Sequence, residues 1–196
     1  MEEDDGIIFS SESLKLEIIR ENQNNGGIRV TLIGLINKAR IPLQVDIGFG
    51  DVIIPDPELV EYPVLLLNNS IPRVKAYTKY TVIAEKFHAI VTLGLVNSRM
   101  KDFYDIWLLS RLFQFDNSIL EESILATFTR RETSIPENIP LAFTNEFFEN
   151  KQKILQWNSF IKKSKPFETK EDLSKLIHDI SVFIMPILKS TKKCNK

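Results

Sequence analysis

The sequence predicts an α+β fold in which a small β-sheet precedes a helical domain. Its first third contains short apolar runs, separated by turns rich in glycine, asparagine and proline. From about residue 79 onward, apolar residues recur at the three- and four-residue spacing of amphipathic helices. We therefore place a strand-rich part at residues 1–78 and a helical part at residues 79–196. Such a thin sheet needs helices across one face to be stable.

The clearest strands are Ile28–Ile36 and Ile41–Phe49, which we expect to form a β-hairpin around a turn at Asn37–Arg40. From Ile28 to Leu32, apolar and polar residues alternate, as in a half-buried strand. Two shorter runs precede this hairpin and are predicted as separate strands, Gly6–Ser10 and Leu14–Ile19. An Asn- and Gly-rich turn at Asn22–Gly27 follows them.

Five helices are predicted in the second part: Thr81–Leu95, Asn97 or Ser98 to Leu112, Ser118–Phe128, Thr144–Lys162 and Thr169–Leu188. Thr81 is the expected N-cap of the first helix, and Gly94 lies near its expected end. The second helix should pack five apolar side chains inward: Phe103, Ile106, Trp107, Leu109 and Phe113.

Composition excludes several classes of protein. The formal net charge of −1 gives no global basic field for nucleic acid, although it leaves a local basic patch open. A single cysteine, Cys194, excludes a disulfide framework and fits a reducing compartment. There is no signal peptide and no apolar run of bilayer length, so we expect a cytoplasmic protein without a membrane partner. Walker, Rossmann and zinc-ligand motifs are also missing from the sequence.

Asp46 is the first residue that suggests chemistry. It lies between Val45 and Ile47 on a predicted strand, and its side chain shares a face with Gln44. A carboxylate in such an apolar setting costs free energy unless it is exposed, hydrogen-bonded or bound to a cation. Position alone leaves two interpretations about equally open, a solvent-facing aspartate and a metal ligand.

A second candidate group follows on the helices. Lys86 stands in an otherwise apolar helix and, taken alone, is most simply a solvated side chain. The head of the next helix carries four charged residues at helical spacing: Arg99, Lys101, Asp102 and Asp105. These form either local ion pairs on a helix surface or a site that organises phosphate and metal ions. His88 has no second ligand at metal spacing, which indicates a structural role.

Taken together, several motifs resemble the AbiEii/AbiGii toxin family of nucleotidyltransferases. The resemblance covers nearly the whole chain in order, and its most specific element combines Ala-Glu-Lys with the downstream Arg-x-Lys-Asp-x-x-Asp. The matching segments are Val45–Asp51, Ala76-Tyr77, Ile83–Phe87, Asn97–Asp105, Thr127–Thr133 and Gln156-Trp157.

The resemblance implies part of a DNA-polymerase-β-type nucleotidyltransferase sheet with an added helical domain. It implies a toxin of a two-gene toxin–antitoxin, or abortive infection, system with a cognate antitoxin. The implied activity is Mg²⁺-dependent transfer of nucleotides from a nucleoside triphosphate to RNA, notably tRNA. Asp46 would be a catalytic carboxylate that binds metal, and Lys86 a catalytic residue that contacts the triphosphate. Arg99 and Lys101 would bind nucleotide beside a catalytic acid, which is Asp102 or Asp105.

One family element is not found, the Gly-Ser segment followed by an Asp-x-Asp strand. The only early acidic pair, Asp4-Asp5, is adjacent in sequence and would point to opposite sides of a strand. We therefore expect a truncated or split enzyme that needs a separately encoded N-terminal segment. The alternative is a non-catalytic remnant or interaction module that retains the helical half of the fold. Either way, an apolar strand surface should be left uncovered and favour self-association.

Overall fold

A computed structural model describes residues 6–19, 26–64, 70–166 and 172–194, with side chains to residue 188. The chain divides into two compact units, residues 1–51 and 52–196, and each is described by itself below. The first contains a three-stranded antiparallel sheet and the second is mainly helical, so the predicted α+β class is confirmed. The acidic pair at residues 4–5 and most of the predicted turn at residues 22–27 lie outside the described residues.

The sheet of the first unit is built from β1 (Ile7–Ile19), β2 (Gly27–Ile36) and β3 (Ala39–Gly48), in that order. β2 and β3 form the predicted hairpin, with Ile36 paired to Ala39. The tight turn places Asn37 at φ 53°, a left-handed conformation that asparagine tolerates better than most residues.

β1 is one strand rather than the two predicted. Its pairing with β2 shifts register between Ser10 and Lys15, and this irregularity corresponds to the polar stretch that suggested a break. Ser13 Oγ accepts a hydrogen bond from the Ile33 amide at 2.8 Å and donates to the Ser10 carbonyl at 2.6 Å. The serine therefore pairs backbone groups where the ladder is interrupted.

The strand pairing gives this sheet one entirely apolar face. Cross-strand partners share a face, so the register identifies its members: Ile7, Phe9, Leu16, Ile18, Ile28, Val30, Leu32, Gly34, Ile36, Ala39, Ile41, Leu43, Val45 and Ile47. Six of its large side chains are between 38% and 69% exposed: Phe9, Leu16, Ile18, Ile41, Val45 and Ile47. Apolar exposure on this scale is typical of a surface that another element covers.

The second unit begins with a small hairpin of β4 (Glu58–Glu61) and β5 (Arg73–Ala76). Six α-helices follow in the described residues: α1 (Lys79–Leu93), α2 (Met100–Leu112), α3 (Asn117–Arg130), α4 (Asn145–Phe148), α5 (Lys151–Ser164) and α6 (Leu173–Cys194). α1 packs on α2 and α3, and α2 packs on α6 and α5. No helix in the described part of the chain is both long and apolar enough to cross a bilayer.

One hydrophobic core joins these helices. Its largest fully buried side chains come from α1, α2, α3, α4 and α6: Phe87, Phe103, Trp107, Phe128, Phe147 and Ile177. The Trp107 indole N–H donates to Asp179 Oδ2 at 3.2 Å and so links α2 to α6. Burying so many large side chains is the dominant stabilising term for this unit.

Several helix details differ from the sequence predictions. Thr78, not Thr81, caps α1, since the Thr78 hydroxyl accepts from the Thr81 amide. The hydroxyls of both threonines also bond the backbone of Ile54. Phe113 lies beyond the end of α2 and is 48% exposed rather than inward. The predicted helix at residues 144–162 is two helices, because the Asn150 side chain caps a new start by accepting from the amides of Gln152 and Lys153.

His88 has the structural role predicted for it. Its Nε2 lies 2.8 Å from Thr133 Oγ1, and its ring meets the edge of Phe128 at a centroid distance of 4.9 Å. Burial, with a smaller contribution from the positive charge of Arg131, lowers the pKa of His88 to about 4. The imidazole is therefore neutral in the folded protein at neutral pH.

We predict that Val45→Lys reduces self-association of the chain. The substitution places a charge in the middle of the exposed apolar face and so opposes its burial against another surface. Gln44→Lys is the matched control, since it adds the same charge to the opposite face one residue away. Sedimentation velocity over a concentration series measures the effect. Equal association of the two variants would show that this face does not drive it.

A second prediction concerns pH. The unfolded state takes up a proton at His88 below about pH 6.5, whereas the folded state does so only near pH 4. The free energy of unfolding should therefore fall as the pH falls through this range. Urea denaturation at pH 7 and pH 4.5 should show a smaller loss for His88→Gln than for the wild type. The control His178→Gln alters an exposed histidine and should behave like the wild type.

Candidate functional site

The site forms where one face of α1 meets the beginning of α2. Along α1, Ile83, Phe87 and Ile90 face the core, so the intervening Glu85 and Lys86 emerge at its side. The Lys86 ammonium lies 2.9 Å from Asp102 Oδ1 and 2.7 Å from Asp105 Oδ2. Asp102 and Asp105 are three residues apart on α2, so one lysine bridges two carboxylates on the same helix face.

Lys86 is well shielded from solvent. Its side chain is 20% exposed, and those of Asp102 and Asp105 are 4% and 18% exposed. Burial alone would lower the pKa of Lys86, but hydrogen bonds to Asp105 and Asp102, together with their negative charges, outweigh burial and raise the pKa. Lys86 is therefore a fixed cation at neutral pH.

Two further cations lie on the solvent side of the same carboxylates. Arg99 Nε is 2.8 Å from Asp102 Oδ2 as an ion pair without an aligned hydrogen bond, and Lys101 Nζ is 2.6 Å from Asp105 Oδ2. The Arg99 and Lys101 side chains are 60% and 70% exposed. Because the two cations are themselves largely in water, their charges are screened and each gains less from its pair than an enclosed cation would. Both cations are therefore able to exchange partners.

The turn before α2 sets the position of Arg99. Arg99 is the N-cap of α2, but its side chain makes no capping hydrogen bond. The buried Asn97 acts instead, because its Oδ1 accepts from the Arg99 amide at 2.8 Å. This corrects the expectation that Asn97 or Ser98 would itself be the cap. The guanidinium of Arg99 lies against Asp102 across the first turn of the helix.

A neighbouring ion pair supports α1. Arg131 Nη2, just past the end of α3, lies 2.8 Å from Glu85 Oε2, with both side chains largely buried. Glu85 precedes Lys86 in the Ala-Glu-Lys motif, so adjacent residues of α1 are bound to α3 and α2 respectively. The sequence motif contains the two charges, but nothing in it identified their partners.

Asp46 belongs to the first unit, and its surroundings there are polar. It is paired with Arg29 across β2 and β3, and both its oxygens accept from the guanidinium at 2.8 Å. Gln44 Nε2 donates to Asp46 Oδ1 at 3.2 Å, as expected for residues that share a strand face. Asp46 is about two-fifths exposed. Its carboxylate is thus exposed and hydrogen-bonded, one of the ways in which such a residue is accommodated on a strand.

The described residues do not fit a dedicated magnesium site. Within residues 6–19, 26–64, 70–166 and 172–194, no group of three His, Cys, Asp or Glu side chains is arranged to hold a metal ion. Mg²⁺ requires several converging oxygens, whereas the Asp46 oxygens both face the Arg29 guanidinium. Metal binding by Asp46 therefore stays a prediction.

The structure thus gathers five of the six residues selected from the sequence into one cluster, which we call the α2 cluster: Lys86, Arg99, Lys101, Asp102 and Asp105. Both candidate acids contact the same ammonium, so geometry does not separate Asp102 from Asp105. Sequence reasoning missed Lys153, which is buried below Asn97. The sequence feature that could have identified Lys153 is its position four residues before Trp157, which places it on the inward face of α5.

A comparison with protein families identifies the class of protein to which the chain belongs. The family model described as "Nucleotidyl transferase AbiEii toxin, Type IV TA system" matches residues 2–179. The match spans most of the chain, and the protein belongs to this family of toxin–antitoxin nucleotidyltransferases. A comparison with curated proteins gave no match.

Replacing Lys86 should reveal how strongly the α2 cluster depends on it. Lys86→Met leaves a nearly buried Asp102 without its inner cation. We expect a loss of about 2–3 kcal/mol in the free energy of unfolding, somewhat below the value for a fully buried pair. Lys101→Met, which removes an exposed cation, should cost less than about 0.5 kcal/mol. Urea denaturation measures both values, and equal losses would contradict the assigned role of Lys86.

Proposed function

We propose that the chain binds the triphosphate of a nucleoside triphosphate at the α2 cluster and serves nucleotide transfer to an RNA acceptor such as tRNA. The supporting observation is that residues of two nucleotidyltransferase-like motifs, on two different helices, meet at one point: the ammonium of Lys86 contacts both Asp102 and Asp105. Soluble nucleotides and RNA are cytoplasmic substrates, and we place the activity there.

Phosphate binding follows from the charges of the cluster. Three cations and two carboxylates leave one excess positive charge. Arg99 and Lys101 are the exposed members, and each can exchange a carboxylate for a phosphate oxygen. Arg99 offers the planar donor geometry that suits phosphate, whereas Lys101 acts as a point charge.

Asp102 and Asp105 would then act on the nucleotide through Lys86. Their oxygens hold the ammonium from the α2 side and raise its pKa. A lysine in this setting stays protonated and fixed in place, so a phosphate that approaches between Arg99 and Lys101 meets an oriented cation. Orienting charge in advance of binding is the usual way in which proteins stabilise phosphoryl groups.

Chemistry at the phosphate needs more carboxylates than the described residues bring together. We propose that a separately encoded segment with the Gly-Ser and Asp-x-Asp elements supplies them. A cognate antitoxin is the second proposed partner, because the chain belongs to a toxin–antitoxin family.

A second candidate function is a non-catalytic nucleotide-binding or interaction module. The observation that favours it is the bidentate ion pair of Asp46 with Arg29, because this pair engages both oxygens of the carboxylate proposed to hold metal. In this case the α2 cluster binds phosphate, but no transfer takes place with any added segment.

Binding is tested with a fluorescent nucleoside triphosphate and the full chain. Arg99→Gln should weaken affinity about tenfold, the value of one lost charge-assisted contact. Because Arg99 is exposed, its replacement should leave the fold intact. Lys162→Gln, an exposed cation near the end of α5, is the matched control and should bind like the wild type. Equal binding by both variants would contradict the site.

Transfer is tested by following labelled nucleotide into purified tRNA. We expect no transfer by the chain alone, and transfer once the Asp-x-Asp segment is added as a second polypeptide. Asp46→Asn should abolish the restored transfer, whereas Glu17→Gln, a carboxylate change on strand β1 of the same sheet, should not. Triphosphate binding without transfer under every condition would favour the non-catalytic module instead.

A further inference from the structure

Among the residues that the structure describes, Lys153 is a buried cation without an ion pair. It is 3% exposed, and its Nζ donates to the Asn97 carbonyl at 2.7 Å and to Gln156 Oε1 at 3.2 Å. The ammonium also lies 5.3 Å from the centroid of the Phe147 ring. Among the described residues, no carboxylate lies within ion-pair distance of Lys153. Burial lowers the pKa of this lysine.

Such a residue is costly for the core of the helical unit. An unpaired ammonium loses hydration on burial, and an unbranched apolar side chain would fill similar space without that loss. The partial compensation comes from the backbone carbonyl of Asn97, one residue in a short turn before α2. The ammonium therefore stabilises that turn at the expense of its own hydration.

Asn97 connects Lys153 to the α2 cluster. Asn97 is fully buried; its amide donates to the Gly94 carbonyl at 3.2 Å and its Oδ1 accepts from the Arg99 amide at 2.8 Å. A continuous series of hydrogen bonds thus runs from Lys153 through Asn97 to Arg99. The Asn97 Nδ2 has no partner among the described residues, so the side chain is held by its oxygen alone.

We propose that Lys153 is a positioning residue for the α2 cluster, which fixes the turn at Asn97 and thereby the start of α2 and the side chain of Arg99. Without this ammonium, the Asn97 carbonyl loses its buried donor and the turn can rotate. Arg99 would then leave Asp102, while the pairs that Lys86 makes further along α2 persist. The effect on nucleotide affinity rests on the proposed function, but the effect on the turn does not.

Lys153→Met tests the positioning role, since methionine keeps an unbranched side chain of similar shape and removes the ammonium and its charge. Ile161→Ala is the matched control, because it weakens packing on the same helix without touching Asn97. Amide hydrogen exchange at Arg99 should be at least about tenfold faster in Lys153→Met than in the control, after correction for global stability. Unchanged exchange at Arg99 would overturn the proposal.

Asn97→Ala is a second variant for the case in which Lys153→Met does not fold. It removes the Oδ1 acceptor but keeps the carbonyl bonded to Lys153. Amide exchange at Arg99 should be accelerated to the same extent as in Lys153→Met. Exchange as slow as in the wild type would show that Asn97 does not connect Lys153 to Arg99.

Triphosphate affinity gives a readout that loss of stability alone would not produce. Lys153→Met should weaken binding severalfold in the wild-type background and have no further effect in Arg99→Gln, because both changes act through the same guanidinium. An equal loss of triphosphate affinity in both backgrounds would show that Lys153 does not act through Arg99. If the wild type binds no triphosphate, the proposed function fails, while exchange at Arg99 still decides the positioning role.

Discussion

The ion pairs that Lys86 makes with Asp102 and Asp105 are the constraint on which the helical site depends. They join α1 to α2 through charges that are largely removed from water. An arrangement of this kind is sensitive to the loss of any member, since the remaining charges would stay shielded without compensation. The exposed residues Arg99 and Lys101 take their places around carboxylates that Lys86 has already fixed.

Other single polar contacts tie the helices together around this centre. Glu85 meets Arg131 beyond α3, Trp107 bonds Asp179 on α6, and Lys153 on α5 bonds the Asn97 carbonyl. The apolar core supplies most of the stabilisation, but apolar packing alone tolerates small shifts of one helix against another. Each polar contact has one favourable geometry, and together they define how the helices are oriented.

The sequence predicted these features to different extents. The hairpin and the apolar faces follow from local spacing, which is why β2, β3 and the core side of α1 were predictable. Tertiary partners were not. Thr78 and Thr81 are equally good caps by composition, and the contacts of both with the distant backbone of Ile54 could not be read from the sequence. Similarly, Asp46 could be placed on a face, but its pairing with Arg29 required the register of the sheet.

The graded exposure of the α2 cluster means that dissolved salt should act on it unevenly. Ions at physiological concentration screen charges beyond about 8 Å and weaken contacts that water reaches. The Arg99 and Lys101 side chains are exposed to water and dissolved ions, whereas Lys86 and Asp102 are mostly enclosed. Raising the ionic strength should therefore weaken the ion pairs of Arg99 and Lys101, while the pair of Lys86 with Asp102 stays intact. A polyanion would therefore be attracted to the exposed cations to an extent that depends on the ionic strength. The attraction of the enclosed charges would not depend on it.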